Sequence, residues 1–507
     1  MSPLPDSKEI PLISRLMHYI RLRHIRGPWW AAITRIWMLG ALASEDSSNI
    51  YIRVNRKYGP LARIGPNHLL LSDPDSIRTI LAARSRYTRG PWYDALRIHP
   101  HRANLITERD ERKHQKLRHQ MAAGYNGNDI PSLEPTIDER IHEWLTYIDS
   151  FGISTSSSTV KFDIARSLQY LTTDIISHLC FGEPFGFVKT HDDVYGFLAT
   201  LESRLPIVEK FSVVVELSSL LSALSYIPYF EHCVLPQPTD ENGLGKILGI
   251  SKRVVDTRFE PNSICRTDIL GSFLKNGISR KQVESEITIS LFAGSDTTAS
   301  GLRGTLLHIV TNPNVYAKLK AEIDEAVSKG LVSSPTQAHE AAKLPYLQAC
   351  IKEGLRIFPP ITSLRERVVP PEGDTILGRF IPGGTNIGIN MAGSLLSDIF
   401  GPDPDVFRPE RWLEADSTNL AQMERVHELV FGHGATRCLG IRIATMTLNK
   451  VFVELLRRYE ISVTNPINPW KSRCHGIFFQ RDFWIRITLR ENDSARKCSL
   501  SLQNNQL

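Results

Sequence analysis

The stretch that decides the fold is Phe431-Gly432-His433-Gly434-Ala435-Thr436-Arg437-Cys438-Leu439-Gly440, which precedes a helical pattern from Ile441 to Arg457. Its glycines allow backbone turns that other residues disfavour and would let a flat, bulky group approach the chain. Cys438 stands where the first amides of the following helix favour a thiolate over a thiol. The pattern therefore favours a thiolate ligand to haem iron over the ordinary role of a small buried cysteine.

A second segment, Ser279 to Asn312, is predicted to be one long helix that ends before Pro313. Ser279 and Gln282 form a capping-box pattern at its start. Ala293-Gly294-Ser295-Asp296-Thr297-Thr298 lies in the middle, where glycine and hydroxyl side chains are expected to open the helix locally and make room for dioxygen and water. The alternative interpretation is a solvent-facing polar patch on a buried helix.

A third pattern pairs an acid with an arginine on the predicted helix Leu344 to Phe358. Glu353 and Arg356 are three residues apart and share one helix face. Alone, such a pair is usually an exposed ion pair of small energetic value. Here it is followed by Phe407-Arg408-Pro409-Glu410-Arg411-Trp412 and then by the cysteine loop.

Taken in this order, the segments resemble the cytochrome P450 family of haem-thiolate monooxygenases, whose haem loop reads F-G-x-G-x-R-x-C-x-G. The matching positions are Phe431, Gly432, Gly434, Cys438 and Gly440. The resemblance implies haem b as the cofactor, with Cys438 as the metal ligand and this loop as part of the cofactor site. Thr436 departs from the pattern, because the family has there an arginine that binds a haem propionate. Arg437, beside the cysteine, is the candidate substitute.

The same resemblance implies roles for residues elsewhere in the chain. Asp296 and Thr297 would form a catalytic relay that delivers protons for the cleavage of dioxygen. Three residues would bind the haem propionates: His114, Arg118 and Arg367. Glu353, Arg356 and Arg411 would form a buried triad that supports the fold. The opening KYGPLARIGPN and the C-L-G of the haem loop are similar to fungal secondary-metabolite members of the pisatin demethylase type.

The resemblance also sets the expected fold, a mainly α (α+β) cytochrome P450 fold with a large helical majority and small β-sheets in the amino- and carboxyl-terminal parts. The residue patterns agree with it. Two short strands are predicted at Leu61–Ile64 and His68–Leu71, followed by a helix that opens at Asp73 with Pro74 in its first position. Helical patterns dominate from about Glu108 to Gly330.

Composition excludes several classes of protein. The chain has 507 residues, of which 42% are hydrophobic and 22% charged, so it is globular rather than disordered or of low complexity. A net charge of +6 is too dilute for a nucleic-acid-binding protein, and no nucleic-acid partner is expected. The seven cysteines are odd in number and form no CxxC pair, which favours a reducing compartment over disulfides or zinc.

Domain boundaries follow from the absence of linkers and repeats. We expect an amino-terminal segment over residues 1–45, a single domain over 46–490 and a loose tail over 491–507. Arginines interrupt the first 50 residues so often that no membrane-spanning anchor is expected there. Leu12 to Leu42, basic and rich in tryptophan, suits either a helix in a membrane interface or an ordinary packing segment. Phe211 to Phe230 is long enough to span a membrane, although its Glu216 and serines favour a buried or lipid-touching helix pair.

The predicted function is that of a monooxygenase that inserts one oxygen atom from O2 into a small apolar organic molecule of secondary metabolism. Electrons would come from NADPH through NADPH-cytochrome P450 reductase. The protein is expected to be a monomer, on the cytoplasmic side of the endoplasmic reticulum if it contacts a membrane peripherally. Two alternatives remain open: a haem-thiolate isomerase or dehydratase that needs no external electrons, and a non-catalytic haem-binding protein.

Overall fold

The computed structural model describes residues 20–99, 101–227, 229–230, 232, 235–260 and 266–490. The α-helices are α1 Ile36–Ala43, α2 Ser47–Tyr58, α3 Pro74–Leu81, α4 Glu111–Asn126, α5 Leu133–Phe151, α6 Ile164–Phe181, α7 Phe187–Thr190, α8 Phe197–Ser212, α9 Val215–Leu224, α10 Gly243–Thr257, α11 Ile269–Lys275, α12 Arg280–Val310, α13 Pro313–Ser328, α14 Ala338–Ala341, α15 Pro345–Ile357, α16 Met391–Leu395, α17 Arg411–Glu414, α18 Ser417–His427 and α19 Ile441–Arg458. Short 3-10 helices cover Trp29–Ala32, Pro91–Leu96, Val194–Gly196, Asp398–Phe400, Glu428–Phe431 and Gly434–Thr436.

The strands form small sheets beside this helical mass. They are β1 Leu61–Gly65, β2 His68–Leu71, β3 Thr88–Arg89, β4 Phe162–Asp163, β5 Arg367–Val368, β6 Asp374–Ile376, β7 Arg379–Ile381, β8 Asn386–Ile389, β9 Tyr459–Val463, β10 Lys471–Cys474, β11 Phe478–Arg481 and β12 Trp484–Leu489. The largest sheet has the order β1-β2-β8-β5-β3, and only its β2–β8 pair is parallel. A second sheet has the order β4-β12-β9, and β6–β7 and β10–β11 are separate antiparallel pairs. The predicted mixed fold with a helical majority is confirmed.

Local signals in the sequence explain where several elements begin. Asp73 caps α3 by accepting a hydrogen bond from the Ser76 amide at 2.9 Å, and Pro74 takes the first helical position, as predicted. The capping box predicted for α12 is wrong, because the Ser279 side chain makes no cap hydrogen bond. Gln282 instead donates to the Ala103 carbonyl at 2.9 Å, so it ties α12 to the loop before α4.

The long helix α12 runs through the centre of the protein and packs against α6. The local opening expected around Gly294 is not found, because α12 is continuous from Arg280 to Val310. A Cβ added to Gly294 would lie 2.6 Å from Ile176 Cγ1 of α6. The glycine therefore allows the two helices to approach closely instead of breaking the helix.

The segment Leu12–Leu42, expected to be either a helix in a membrane interface or an ordinary packing segment, is not one continuous helix over its described residues. Residues 12–19 lie outside the described part, and the remainder is divided into the 3-10 turn Trp29–Ala32 and the helix α1. Pro28, which has no amide hydrogen, precedes that turn. Phe211–Phe230 includes the end of α8 and all of α9, the expected helix pair. Among the described residues, no helix is both long and apolar enough to cross a membrane.

A buried triad joins α15 to the segment before the cysteine loop, as the resemblance implied. Glu353 is 0% exposed and accepts hydrogen bonds from Arg356 Nη2 at 2.7 Å, Arg411 Nε at 2.8 Å and Trp412 Nε1 at 2.9 Å. Burial opposes ionisation of this carboxyl, but Arg356 and Arg411 hold the pKa of Glu353 below its usual range. One carboxylate thus pairs with two buried guanidiniums and fixes the segment that leads to Cys438.

Replacing this carboxylate should severely destabilise the protein. We expect Glu353→Ala to lower the free energy of unfolding by about 3–5 kcal/mol, because two buried guanidiniums lose their counter-ion. Thermal unfolding of the purified protein measures the effect. Glu325→Ala, which removes an exposed pair with Lys329, is the matched control and should leave the midpoint unchanged. Equal midpoints for the two variants would show that the triad does not support the fold.

Candidate active site

Cys438 lies at the end of a tight loop that leads directly into α19. Its amide donates a hydrogen bond to the Phe431 carbonyl at 2.7 Å. Gly432 and Gly434 adopt positive φ angles of 76° and 59°, and a Cβ on Gly434 would lie 2.2 Å from the Leu81 carbonyl oxygen. These two glycines therefore shape the loop and let it pack on the end of α3. The close approach of a flat, bulky group to this loop stays a prediction.

The side chain of Cys438 opens into an internal cavity of about 320 Å³. Apolar side chains from several elements form much of its wall: Leu105, Met121, Ile175, Ile176, Ile289, Leu355, Ile361, Val430, Phe431, Ile443 and Leu448. Burial raises the pKa of the Cys438 thiol, although the Gly440 amide and the charge of Arg118 act in the opposite direction. The Gly440 amide and Arg118 thus offset only part of the effect of burial, and a cation bound at the sulfur would favour the thiolate further.

The middle of α12 forms another wall of this cavity. Thr297 lines it together with Ala293, Gly294, Thr298 and Gly301. The Thr297 hydroxyl donates to the Ala293 carbonyl at 2.7 Å, the bond to the preceding turn that the sequence predicts. This bond orients the hydroxyl oxygen and leaves its lone pairs free to accept a hydrogen bond from a molecule in the cavity.

Asp296 does not line the cavity, although the next residue does. Its Oδ1 lies 4.0 Å from Arg303 Nη1, and its Oδ2 is buried without a hydrogen-bond partner among the described residues. Burial raises the pKa of Asp296 to about 6, and the charge of Arg303 limits that rise. The structure thus places an acid that exchanges protons near neutral pH one residue away from the cavity hydroxyl.

Basic side chains gather at one end of the cavity. Arg89 of β3 and Arg367 of β5 are directly paired across the strands, and both approach Glu111 Oε1, at 4.0 Å and 3.8 Å. His114 and Arg118, on α4, line the cavity nearby. Burial lowers the pKa of His114 to about 3, and the neighbouring arginines lower it further, so the imidazole is neutral. We call Arg89, His114, Arg118 and Arg367 the basic cluster.

Thr436 and Arg437 occupy different surroundings. Arg367 Nη2 donates to Thr436 Oγ1 at 3.4 Å, so the threonine joins the basic cluster through its hydroxyl. Arg437 is exposed and lines the cavity beside Cys438, near Arg118. Burial lowers the pKa of Arg118, and the charge of Arg437 adds to this effect. Arg437 as the substitute for the arginine that the family motif has at position 436 stays a prediction.

Comparison with known proteins agrees with this arrangement. The family model described as "Cytochrome P450" matches residues 27–481. The chain belongs to the cytochrome P450 family. It is 37% identical to the cytochrome P450 monooxygenase ABA1 of Pyricularia oryzae over 486 residues, 94% of each chain. It is 36% identical to aba1 of Botryotinia fuckeliana, over 93% of this chain and 92% of that one, and 30% identical to cicH of Emericella nidulans, over 93% and 94%. The prediction of a P450 monooxygenase resembling fungal members is confirmed.

The cofactor of a cytochrome P450 is haem with a thiolate ligand, and the described residues fit that group. His114 Nδ1, Arg89 Nε, and Arg367 Nε and Nη1 are buried and have no hydrogen-bond partner in the described part of the chain. Such donors are costly unless an acceptor reaches them. Haem carries two carboxylates, and Cys438 opens into the cavity that these donors border. The chemistry of the donors therefore matches the cofactor of this P450.

Two cavity residues were missed by the sequence analysis, Arg89 and Arg365. Arg89 precedes Gly90-Pro91, and only its cross-strand pairing with Arg367 reveals its position. Arg365 lies two residues before Arg367, so an alternating pattern from the predicted propionate ligand could have indicated it. That signal is weak in a segment with so little regular structure.

Removing the thiol should abolish thiolate ligation in this P450. We expect Cys438→Ala to lose the red-shifted Soret band in the carbon monoxide spectrum of the reduced protein, because no other described cysteine opens into the cavity. Cys350→Ala removes a buried sulfur elsewhere and should keep the band. A retained band in Cys438→Ala would contradict the identification of the ligand.

Proposed function

We propose that this cytochrome P450 monooxygenase takes two electrons from NADPH-cytochrome P450 reductase and inserts one oxygen atom from O2 into an apolar organic molecule. The observation that carries the proposal is that Cys438 and Thr297 border the same largely apolar cavity from two different elements. When bound, haem supplies the redox chemistry that activates dioxygen. The protein supplies ligation, orientation, exclusion of water and protons.

In this proposal Cys438 ligates the iron through its sulfur, and the basic cluster holds the haem carboxylates. His114, Arg118 and Arg367 act as predicted, and Arg89 joins them because it faces Arg367 across the strands. Phe431 contributes a wall beside Cys438, and Gly432, Gly434 and Gly440 shape the loop in the cofactor site. Arg437, which lines the cavity beside the ligand, is the proposed substitute for the missing arginine, and Arg367 contacts Thr436 at the motif position itself.

Thr297 and Asp296 form the proposed catalytic relay. The Thr297 hydroxyl is fixed by the Ala293 carbonyl, so it presents its oxygen to the cavity in a defined orientation. Asp296 lies next to it in the chain and has a pKa of about 6, which lets it take up and release protons near neutral pH. Its distance of 4.0 Å from Arg303 is too long for a hydrogen bond, so the carboxyl is not locked in place.

Loss of the Thr297 hydroxyl should uncouple electron use from product formation. We expect Thr297→Ala to consume NADPH with reductase but to lower product formed per NADPH by about ten-fold, because proton delivery is no longer oriented. The assay uses the apolar compound that gives the largest spectral shift with the wild type. Thr297→Ser retains the hydroxyl and should stay close to the wild type.

The same assay separates the alternatives. If Thr297→Ala formed as much product per NADPH as the wild type, the proposed proton relay would be contradicted. Product formation without NADPH would indicate an isomerase or dehydratase, and the absence of turnover with every substrate that binds would indicate a non-catalytic haem protein.

The substrate class follows from the cavity wall. Away from its basic end the wall is largely apolar, which favours terpenoid, polyketide or aromatic molecules. The relatives are fungal P450 monooxygenases, and we propose that this chain likewise acts in secondary metabolism.

A basic surface on α4 supports the proposed reductase as partner. Lys113 and Lys116 are exposed, whereas His114 and Arg118 on the same helix line the cavity. With the exposed Arg437 they place positive charge close to the cysteine loop. Such a surface would attract an acidic partner and accelerate its encounter with the haem side of the protein.

Peripheral membrane contact is the final part of the proposal. Trp29, Ile33 and Ile36 are exposed in the amino-terminal segment, Trp29 at 78% and Ile36 at 64%. Arg35 pairs with Glu216 of α9, which brings this segment next to the exposed Leu220. We call these four apolar residues the apolar face. It suits insertion into a membrane interface, which would place the enzyme on the cytoplasmic side of the endoplasmic reticulum.

Vesicle flotation tests the apolar face. We expect Trp29→Ser combined with Ile36→Ser to reduce binding to phosphatidylcholine vesicles by about ten-fold or more, because each side chain loses the free energy of leaving water. Leu331→Ser, an equally exposed apolar residue after α13, is the control and should float like the wild type. Equal flotation of the double variant and the wild type would contradict membrane insertion by the apolar face.

A further inference from the structure

Arg365 lines the cavity in an unusual conformation. Its φ angle is 43°, a left-handed value that costs a residue with a side chain about 1–2 kcal/mol. Its Nε and Nη2 atoms are buried, and no residue in the described part of the chain accepts a hydrogen bond from them. Strained backbone and unpaired buried donors together are typical of positions that clamp a ligand.

The neighbouring residue shows why the side chain enters the cavity. Glu366 turns the other way, where its Oε1 lies 3.6 Å from His68 Nε2 behind the sheet. Arg365 and Arg367 flank it; Arg365 lines the cavity, and the charge of Arg367 acts on it. The segment therefore directs two guanidiniums towards the same interior.

Arg89 and Arg367 each have an oxygen partner within the protein, although Arg89 Nε and Arg367 Nε and Nη1 stay unpaired among the described residues. Arg89 donates to the Glu108 carbonyl and approaches Glu111, and Arg367 approaches Glu111 and donates to Thr436. The charged or ionisable groups that act on Arg365 are Tyr93 and Arg367, and no described carboxylate is among them. Burial lowers the pKa of Arg365, and the charge of Arg367 lowers it further.

Charge balance leaves this guanidinium without a counter-ion even after haem is bound. Five guanidiniums belong to the cavity lining or to the basic cluster, Arg89, Arg118, Arg365, Arg367 and Arg437, and two carboxylates, Glu108 and Glu111, act on Arg89. With the two haem carboxylates, four negative charges face five positive charges. One positive charge remains in a low-dielectric interior, where it attracts an anion strongly.

We propose that Arg365 binds a carboxylate of the substrate, so that the natural substrate is an apolar organic acid. Arg365 follows Pro360 and Ile361, which form part of the apolar wall, so the acid group would be held at the end of a largely apolar molecule. A planar guanidinium binds a carboxylate through two parallel hydrogen bonds, which fixes the orientation of the molecule as well as its charge. This inference rests on the proposed function and names its substrate class.

Equilibrium binding to the haem-loaded enzyme tests the inference. The probes are two matched pairs, farnesoic acid with methyl farnesoate and dodecanoic acid with methyl dodecanoate, and the readout is the Soret shift. We expect the wild type to bind at least one acid about 30-fold or more tightly than its ester, because the ester leaves the guanidinium unpaired. Arg365→Leu should reduce that ratio to about three-fold or less, and Arg365→Lys should keep an intermediate preference.

The competing role for Arg365 is a partner of the haem carboxylates, and a second readout distinguishes it. Haem transfer to apomyoglobin should proceed at the wild-type rate in Arg365→Leu and faster in Arg118→Leu, which should keep the preference for the acid. Faster haem loss in Arg365→Leu with an unchanged acid-to-ester ratio would overturn the inference, as would a wild type that shows no preference for either acid. Ligand binding and haem transfer are measured without NADPH or reductase. They therefore test the role of Arg365 independently of whether the enzyme carries out NADPH-dependent oxygenation.

Discussion

The structure depends on keeping one thiol accessible inside an apolar interior. Burial works against this thiol as a ligand, because it raises the pKa of Cys438. The amides at the start of α19 and the charge of Arg118 offset only part of that effect. A cation bound at the sulfur would favour its thiolate form. Two positive-φ glycines and the Cys438–Phe431 backbone hydrogen bond fix the shape of the loop.

The basic cluster likewise lacks part of its opposite charge within the protein. Arg89 and Arg367 face each other across β3 and β5, an arrangement that repels unless carboxylates lie between them. Glu111 alone does not neutralise the pair, and several of their nitrogen atoms lack partners among the described residues. A cofactor with two carboxylates relieves that repulsion, so its binding should stabilise the folded chain through the ordinary linkage between ligand and native state. The contrast with Glu353 is informative, because that carboxylate satisfies its two arginines within the protein and needs no ligand.

Much of this could be predicted from sequence because the signals are local. The Asp73-Pro74 start of α3, the Glu353 and Arg356 pair and the cysteine loop each depend on residues close together in the chain. The capping box at Ser279 failed because Gln282 found a distant partner, the Ala103 carbonyl. The helix opening predicted at Gly294 failed for a related reason. This glycine instead leaves room for Ile176 of α6 to pack against α12. Arg89 and Arg365 escaped notice because cross-strand pairing and a left-handed backbone are consequences of tertiary structure.

The arrangement on α12 adds a constraint to the proposed relay. Successive helical residues are turned by about 100°, so Asp296 and Thr297 do not face the cavity together. Arg303 is held by the Ala165 carbonyl and the Gln169 side chain, which makes it the fixed member of its pair with Asp296. The carboxyl is the loose member, 4.0 Å away and with one oxygen unpaired. A tighter ion pair would hold the pKa of Asp296 low and keep the carboxylate away from the cavity. The loose contact instead leaves the carboxyl protonatable near neutral pH, as the proposed relay requires.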